Sequence, residues 1–186
     1  MKKLSSCLIL ALFLAGASAF GHDAHTHGIA RLNLVIEGIN VEIGFETPLI
    51  NLIAFERAPK NDKERQEVRN MATALRNAHT LFIFPPDAKC GQTSVLLKAD
   101  VIAEELAYTA NEHERGQENH AHAAGDGHAD LDAEFVFTCQ NPAALKQVEV
   151  RIFQAFPALK RIEAELVTPR GQKAIKLTSR ANRLQW

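Results

Sequence analysis

Alternation of apolar and polar residues in two adjacent segments predicts a β-hairpin near the start of the chain. In ARLNLVIEG the side chains of Leu32, Leu34 and Ile36 share one face, and INVEIGFE continues the alternation. The short turn at Glu37-Gly38 joins the two predicted strands. The same alternation predicts three strands near the C-terminus, in VEVRIF, RIEAELV and KAIKLTS. TPRGQ is the predicted turn between the last two.

Helical periodicity follows this hairpin. Thr47-Pro48 can begin a short helix through LINLIAF, because proline suits the first helical position. Asn61 with Glu64 resembles a capping box, which predicts the start of a longer amphipathic helix. Apolar residues then recur at helical spacing: Val68, Met71, Ala72, Leu75 and Ala78. His79 ends this predicted helix, where an imidazolium would complement the negative end of the helix dipole.

A histidine-rich segment separates two further predicted strands. TLFIF predicts a buried strand that stops at Pro85-Pro86, and the pattern from residue 92 to residue 107 is also strand-like. After the run NEHERGQENHAHAAGDGHADLD, apolar residues alternate again through EFVFTC. These elements predict an α+β domain with a mostly antiparallel sheet, one long amphipathic helix and a His-rich hairpin insertion.

The first 19 residues resemble an export signal. Lys2 and Lys3 precede the apolar run LSSCLILALFLAGA, and Ala17-Ser18-Ala19 is a small-residue cleavage site. The apolar run is too short for a stable membrane span. We therefore expect a signal peptide at 1–19, a flexible His-containing tail at 20–28, and a single α+β domain at 29–186 with a His/Asp-rich loop at 111–130.

Charge and cysteine content narrow the function further. The formal net charge is −1, with 21 basic and 22 acidic residues, so no basic surface predicts nucleic-acid binding. After export, Cys90 and Cys139 remain as an even pair in an oxidising compartment, which favours a disulfide over two free thiols. Cys139 is in phase with the apolar side of its strand, so this bond should tie the base of the loop to the core.

Histidines concentrate in two places and predict a metal site. His22, His25 and His27 lie in the tail, and a larger group lies in the loop. The loop group comprises His113, His120, His122 and His128, with Asp126 and Asp130 as nearby carboxylates. Neutral imidazole and carboxylate oxygen are natural zinc ligands where thiolates are absent. Zinc is the expected ion, and the two clusters can bind separately or share ions.

Other metals and other functions remain as alternatives. If cleavage follows Ala19, the mature chain begins Phe20-Gly21-His22, whose free amine, amides and imidazole suit square-planar copper(II) or nickel(II). An envelope interaction protein with an incidental His-rich loop is a second alternative. Enzymatic activity is not expected, because the motifs GxSxG and HExxH are absent. A catalytic metal also needs rigidly held ligands, and the predicted ligands lie on segments expected to be mobile.

The mature chain as a whole resembles the ZrgA family of periplasmic zinc-binding proteins. The resemblance rests on HGIARLNLVIEG, VEIGFETPLINLIAFERAP, FPPDAKC, the His/Asp loop, EFVFTCQNP and FPALKRIEAELVTPRGQKAIKLTSRANRLQW. It implies zinc acquisition under zinc limitation, alongside a zinc ABC importer and its solute-binding protein. It also implies that the central His-rich insertion binds zinc, which here corresponds to His113, His120, His122 and His128.

Overall fold

The computed structural model describes residues 26–111 and 129–186, and strands dominate both ranges. The strands are β1 (Ile29–Glu37), β2 (Asn40–Pro48), β3 (Phe82–Ile83), β4 (Cys90–Lys98), β5 (Asp130–Cys139), β6 (Gln147–Val150), β7 (Arg161–Thr168), β8 (Gly171–Leu177) and β9 (Arg183–Gln185). The helices are α1 (Asp62–Arg76), α2 (Ala78–Leu81), α3 (Ala103–Asn111) and α4 (Ile152–Ala155). Short 3-10 turns lie at Leu49–Asn51, Pro86–Ala88, Asp100–Ile102 and Pro142–Ala144.

Six strands form the main sheet in the order β4-β5-β2-β1-β7-β8. Neighbouring strands are antiparallel except for β1 and β7, which run parallel. The predicted β1–β2 hairpin is confirmed, with Glu37 opposite Asn40, and so is the turn between β7 and β8, where Thr168 lies opposite Gly171. The predicted class is confirmed in its coarser form, a mixed and sheet-rich fold with short helices.

One face of the main sheet carries the hydrophobic core. Alternate residues of β1 and β2, including Leu32, Leu34 and Ile43, are completely buried. Helix α1 contributes a buried stripe to this core: Val68, Met71, Ala72 and Leu75. A smaller sheet in the order β3-β6-β9 contributes further buried residues, Phe82, Val148 and Leu184 among them.

The helix boundaries correct two predictions. Asn61 accepts a hydrogen bond from the Glu64 N–H and begins α1 as expected, but α1 ends at Arg76. His79 therefore lies within the separate short helix α2, and the prediction that it ends the long helix was wrong. LINLIAF forms only one 3-10 turn at Leu49–Asn51, and TLFIF contributes only the two-residue strand β3.

The predicted strand from 92 to 107 was also wrong beyond Lys98. Residues 100–111 form a 3-10 turn followed by α3. Ile102 and Leu106 are both buried and lie four residues apart, which is helical spacing. Glu104 and Glu105 stand in the first turn of α3, where carboxylates complement the positive end of the helix dipole. Helix α3 therefore precedes the His-rich segment, and the predicted hairpin itself falls at 112–128, outside the described residues.

The predicted disulfide joins Cys90 to Cys139, and these residues lie directly opposite each other in β4 and β5. Its predicted position at the base of the loop was wrong. Lys98 pairs with Asp132 at the loop end of this ladder, whereas the cysteines close the other end. Strands rise about 3.3 Å per residue, so β5 separates the disulfide from the loop end by about 30 Å.

Candidate metal-binding region

Two of the predicted ligands, His27 and Asp130, lie in the described part of the chain. The other predicted ligands lie outside it: His22, His25, His113, His120, His122, Asp126 and His128. Among residues 26–111 and 129–186, no group of three or more His, Cys, Asp or Glu side chains is arranged to hold a metal ion. What the described residues show about the proposed metal site is therefore where the two histidine-bearing segments join the folded core.

The tail reaches the core through His27 and Gly28. The His27 side chain is 63% exposed, and its Nε2 lies 3.9 Å from Oε1 of Glu56, a largely buried carboxylate. Gly28 adopts a φ of +81°, a conformation that favours glycine, and an added Cβ would lie 3.2 Å from Cγ of Lys160. The tail thus enters the sheet at a fixed point beside one imidazole and one carboxylate.

The His-rich segment returns to the core at Ala129 and Asp130. Asp130 begins β5 and pairs with Pro48 at the end of β2. The Ala129 carbonyl accepts a hydrogen bond from the Leu49 N–H at 2.8 Å. Asp130 also lines a cleft that includes Thr26 and Arg161, so residues beside the tail and residues beside the loop border the same cavity.

The turn that follows β2 contacts both of these entry points. Asn51 is 1% exposed, and its Oδ1 accepts a hydrogen bond from the Gly28 N–H at 2.6 Å. Its Nδ2 donates to the Ile29 carbonyl and to Thr47 Oγ1, both at 2.9 Å. The turn from Thr47 to Asn51 consequently holds the first residues of β1 through Asn51 and the last residue before β5 through Leu49.

The sheet order brings together the points at which the tail and the loop join the fold. Strand β2 lies between β1 and β5 in the sheet. The strand ends at Ile29, Pro48 and Asp130 lie at the same end of these three strands. Neighbouring strands are about 4.8 Å apart, so β1 and β5 are about 10 Å apart. The two histidine-bearing segments are far apart in the sequence, yet they leave the fold side by side.

The surroundings of this edge are charged. Arg31 on β1 lies 3.7 Å from Glu46 on β2, and Asp132 lies next to Glu46 on β5. Partial burial raises the pKa of Asp132, and the nearby Glu46 carboxylate raises it further. Asp132 therefore lies near two carboxylates, those of Glu46 and Asp100, and one ammonium, that of Lys98.

Sequence reasoning named His27 and Asp130 as metal ligands, which stays a prediction, and it did not single out Glu56 or Asn51 beside them. Glu56 follows an apolar run and carries no ligand motif, so no signal in the sequence distinguishes it. Asn51 did carry a signal, because it is a polar residue within the apolar run LINLIAF and its side chain must find partners when buried.

Comparison with known proteins agrees with this picture. A family model described as "ZrgA family zinc uptake protein" matches residues 24–186. No curated protein matches the chain. None of the helices in the described ranges is long and apolar enough to cross a membrane.

Proposed function

Because the chain belongs to the ZrgA family of zinc uptake proteins, we propose that it captures zinc in the periplasm and assists zinc uptake. The family match over residues 24–186 is the observation that carries this proposal. Zinc is the ligand and cargo, and the family description names uptake, which is a binding and delivery role. Delivery would be to a zinc ABC importer system, through its solute-binding protein.

The proposed ligands are the histidines and carboxylates of the loop and the tail. They are His113, His120, His122, His128, Asp126 and Asp130 in the loop, and His22, His25 and His27 in the tail. The disulfide supports this choice, because it removes Cys90 and Cys139 as thiolate ligands. Imidazole and carboxylate ligands without thiolates suit a site that binds zinc and releases it again.

The shared exit point supports cooperation between the two segments. His27 lies just before β1 and Asp130 begins β5, and these two strands are about 10 Å apart across β2. Ligands that are tethered so close to each other meet at a high effective concentration. We therefore propose that the tail contributes ligands to zinc that the loop captures.

Export to the periplasm completes the proposal. Residues 1–19 carry the basic, apolar and small-residue regions of a signal peptide. The Cys90–Cys139 bond fits an oxidising compartment, where disulfides form and persist. A periplasmic location would place the protein where zinc enters the cell envelope and where an ABC importer collects its cargo.

Zinc titration of substituted proteins tests this function. We expect replacement of His113, His120, His122 and His128 by glutamine to reduce the number of zinc ions bound in isothermal titration calorimetry. Replacement of His22, His25 and His27 by glutamine should weaken binding by about tenfold, because tethered ligands are lost. The control is His79→Gln, which changes a histidine of α2 outside both clusters and should bind zinc as the unaltered protein does.

Growth and competition measurements complete the test. A strain that carries the loop variant should grow poorly under zinc limitation and normally when zinc is supplied. Unchanged zinc stoichiometry together with unchanged growth would refute the proposal. Competition with copper(II) and nickel(II) distinguishes the metals, and a preference for either of them that is lost with His22→Gln would favour the Phe20-Gly21-His22 site instead.

A further inference from the structure

The main sheet has a second face, opposite the core, that is open to solvent in the part of the chain the structure describes. Side chains at alternate positions of its strands point to this face. They include Arg31, Val35, Glu46, Leu96, Glu134 and Glu165. The helices and the small sheet pack on the core side, so no described element covers this face.

A trough lies in the middle of this open face because one residue lacks a side chain. Gly44 is the central residue of β2, between Asn33 of β1 and Glu134 of β5. Its φ is not in the left-handed region, and an added Cβ would meet only the Asn33 Cβ, at 3.9 Å. The chain itself does not require glycine here, and glycine in a strand interior weakens the strand. Glycine at such a position often marks a place where another molecule approaches closely.

The rim of the trough combines negative charge with exposed apolar surface. Four carboxylates and one ammonium line it: Glu42, Glu46, Asp132, Glu134 and Lys98. Within residues 26–111 and 129–186, the carboxylates of Glu42, Asp132 and Glu134 make no salt bridge. Leu96 is 45% exposed and Val35 is 37% exposed, and they contribute apolar surface on opposite sides of Gly44.

We propose that the Gly44 trough is a docking surface for a partner protein, and that the docked segment carries lysine or arginine side chains beside apolar ones. The occupant follows from complementarity, because cations would pair with the rim carboxylates while aliphatic stems and apolar neighbours cover Leu96 and Val35. No trough residue is a proposed zinc ligand, the nearest in sequence being Asp132, two residues after Asp130, and the inference does not rest on zinc binding.

A second copy of this chain is a poor occupant. Acidic side chains outnumber basic ones across the open face, so two such faces would repel each other. A basic segment would instead relieve the repulsion between Glu46 and Asp132, which lie opposite each other on β2 and β5. Like charges at directly paired positions of a sheet are destabilising, and an added cation removes that cost.

Nuclear magnetic resonance titration with defined peptides tests the docking surface. The probe is a short extended peptide that alternates lysine and valine, and its counterpart alternates glutamate and valine. We expect the lysine peptide to shift the amide signals of Gly44, Asp132 and Glu134, which line the trough. The glutamate peptide should leave these signals unchanged.

Two variants and one control complete the experiment. Gly44→Thr fills the trough with a residue that suits a strand, and Glu134→Lys reverses one rim charge, so each should weaken peptide binding by about tenfold. Glu104→Lys makes the same charge change at an exposed position of α3, away from the trough, and should leave peptide binding unchanged. The inference is overturned if the lysine peptide shifts other surfaces, if both peptides bind equally, or if sedimentation shows a dimer that Gly44→Thr abolishes.

Discussion

A single buried side chain, that of Asn51, fixes the start of β1, where the histidine-bearing tail joins the sheet. Its amide accepts a hydrogen bond from the Gly28 N–H and donates to the Ile29 carbonyl and to Thr47 Oγ1. All three hydrogen bonds are made to protein atoms. Thr47 is itself completely buried. Hydrogen bonds of this kind add little net stability, but removal of one partner leaves the other without solvent or protein contact, which is costly.

We expect Asn51→Leu to lower the free energy of unfolding by about 2–4 kcal/mol, because it leaves the Gly28 N–H and the Ile29 carbonyl without their partner. Urea denaturation measures this change. The matched control is Asn70→Leu, since Asn70 is exposed on α1 and bonds only to Gln66 there, and it should change stability by less than about 0.5 kcal/mol. Equal effects of the two substitutions would contradict the role assigned to Asn51.

At the scale of residues, the sequence was informative where chemistry is local. The cap at Asn61 depends on residues three apart, and the structure forms it. The second half of the capping box differs, because the Glu64 carboxylate bonds to the Lys60 N–H and to Arg57. The contact of His27 with Glu56 joins residues 29 apart, and no pattern in the sequence encodes such a pair.

At the scale of elements, the disulfide and the point where the His-rich segment joins β5 lie at opposite ends of the β4–β5 ladder. Cys90 and Cys139 close one end, and Lys98 with Asp132 lies at the other. The bond closes a loop of 49 residues, which in the chain-entropy model stabilises the fold by about 4 kcal/mol. Stability and zinc binding should therefore respond separately to loss of this bond.

The double variant Cys90→Ala/Cys139→Ala should lower the free energy of unfolding by about 4 kcal/mol and leave the zinc stoichiometry unchanged. Urea denaturation measures the free energy of unfolding. Calorimetric titration of the folded protein without urea measures the number of zinc ions bound. Reduction of the unaltered protein serves as the control for stability alone and should reproduce the loss of stability, because it also frees two thiols that can bind zinc. A lower number of bound zinc ions in a variant that is still folded would show that the disulfide shapes the site.

Elements were predictable where the period stayed constant. The β1–β2 hairpin alternates throughout, and the structure pairs it as expected. The prediction failed after Lys98, where the alternation of β4 gives way to the four-residue spacing of Ile102 and Leu106 within a few residues. The parallel pairing of β1 with β7 could not be predicted, because alternation identifies a strand and its buried face but leaves its neighbour undetermined.

At the scale of the whole molecule, the core and the proposed zinc ligands should respond differently to pH. The Arg57 side chain, together with the Lys60 N–H, lowers the pKa of Glu64 to about 2. A carboxyl whose pKa is lowered by folding stabilises the fold at pH values above its pKa in the unfolded chain. It loses that contribution only as the pH falls toward 2. Burial, and then the nearby Glu46 carboxylate, raise the pKa of Asp132, so protonation of this carboxyl relieves both costs in the folded state. Lowering the pH to 5.5 therefore removes stabilisation from neither group.

Zinc binding should be lost in a pH range where the fold remains intact. Imidazole must be neutral to bind zinc, and its ordinary pKa is about 6.5. Between pH 7.5 and 5.5 the affinity should fall by about tenfold for each coordinating histidine, because the neutral fraction falls by that factor. Zinc titrations at the two pH values measure the loss, and circular dichroism at both values checks that the sheet is retained. Equal zinc affinity at pH 7.5 and 5.5 would exclude histidine as the principal ligand and would leave the carboxylates of the loop to hold the ion.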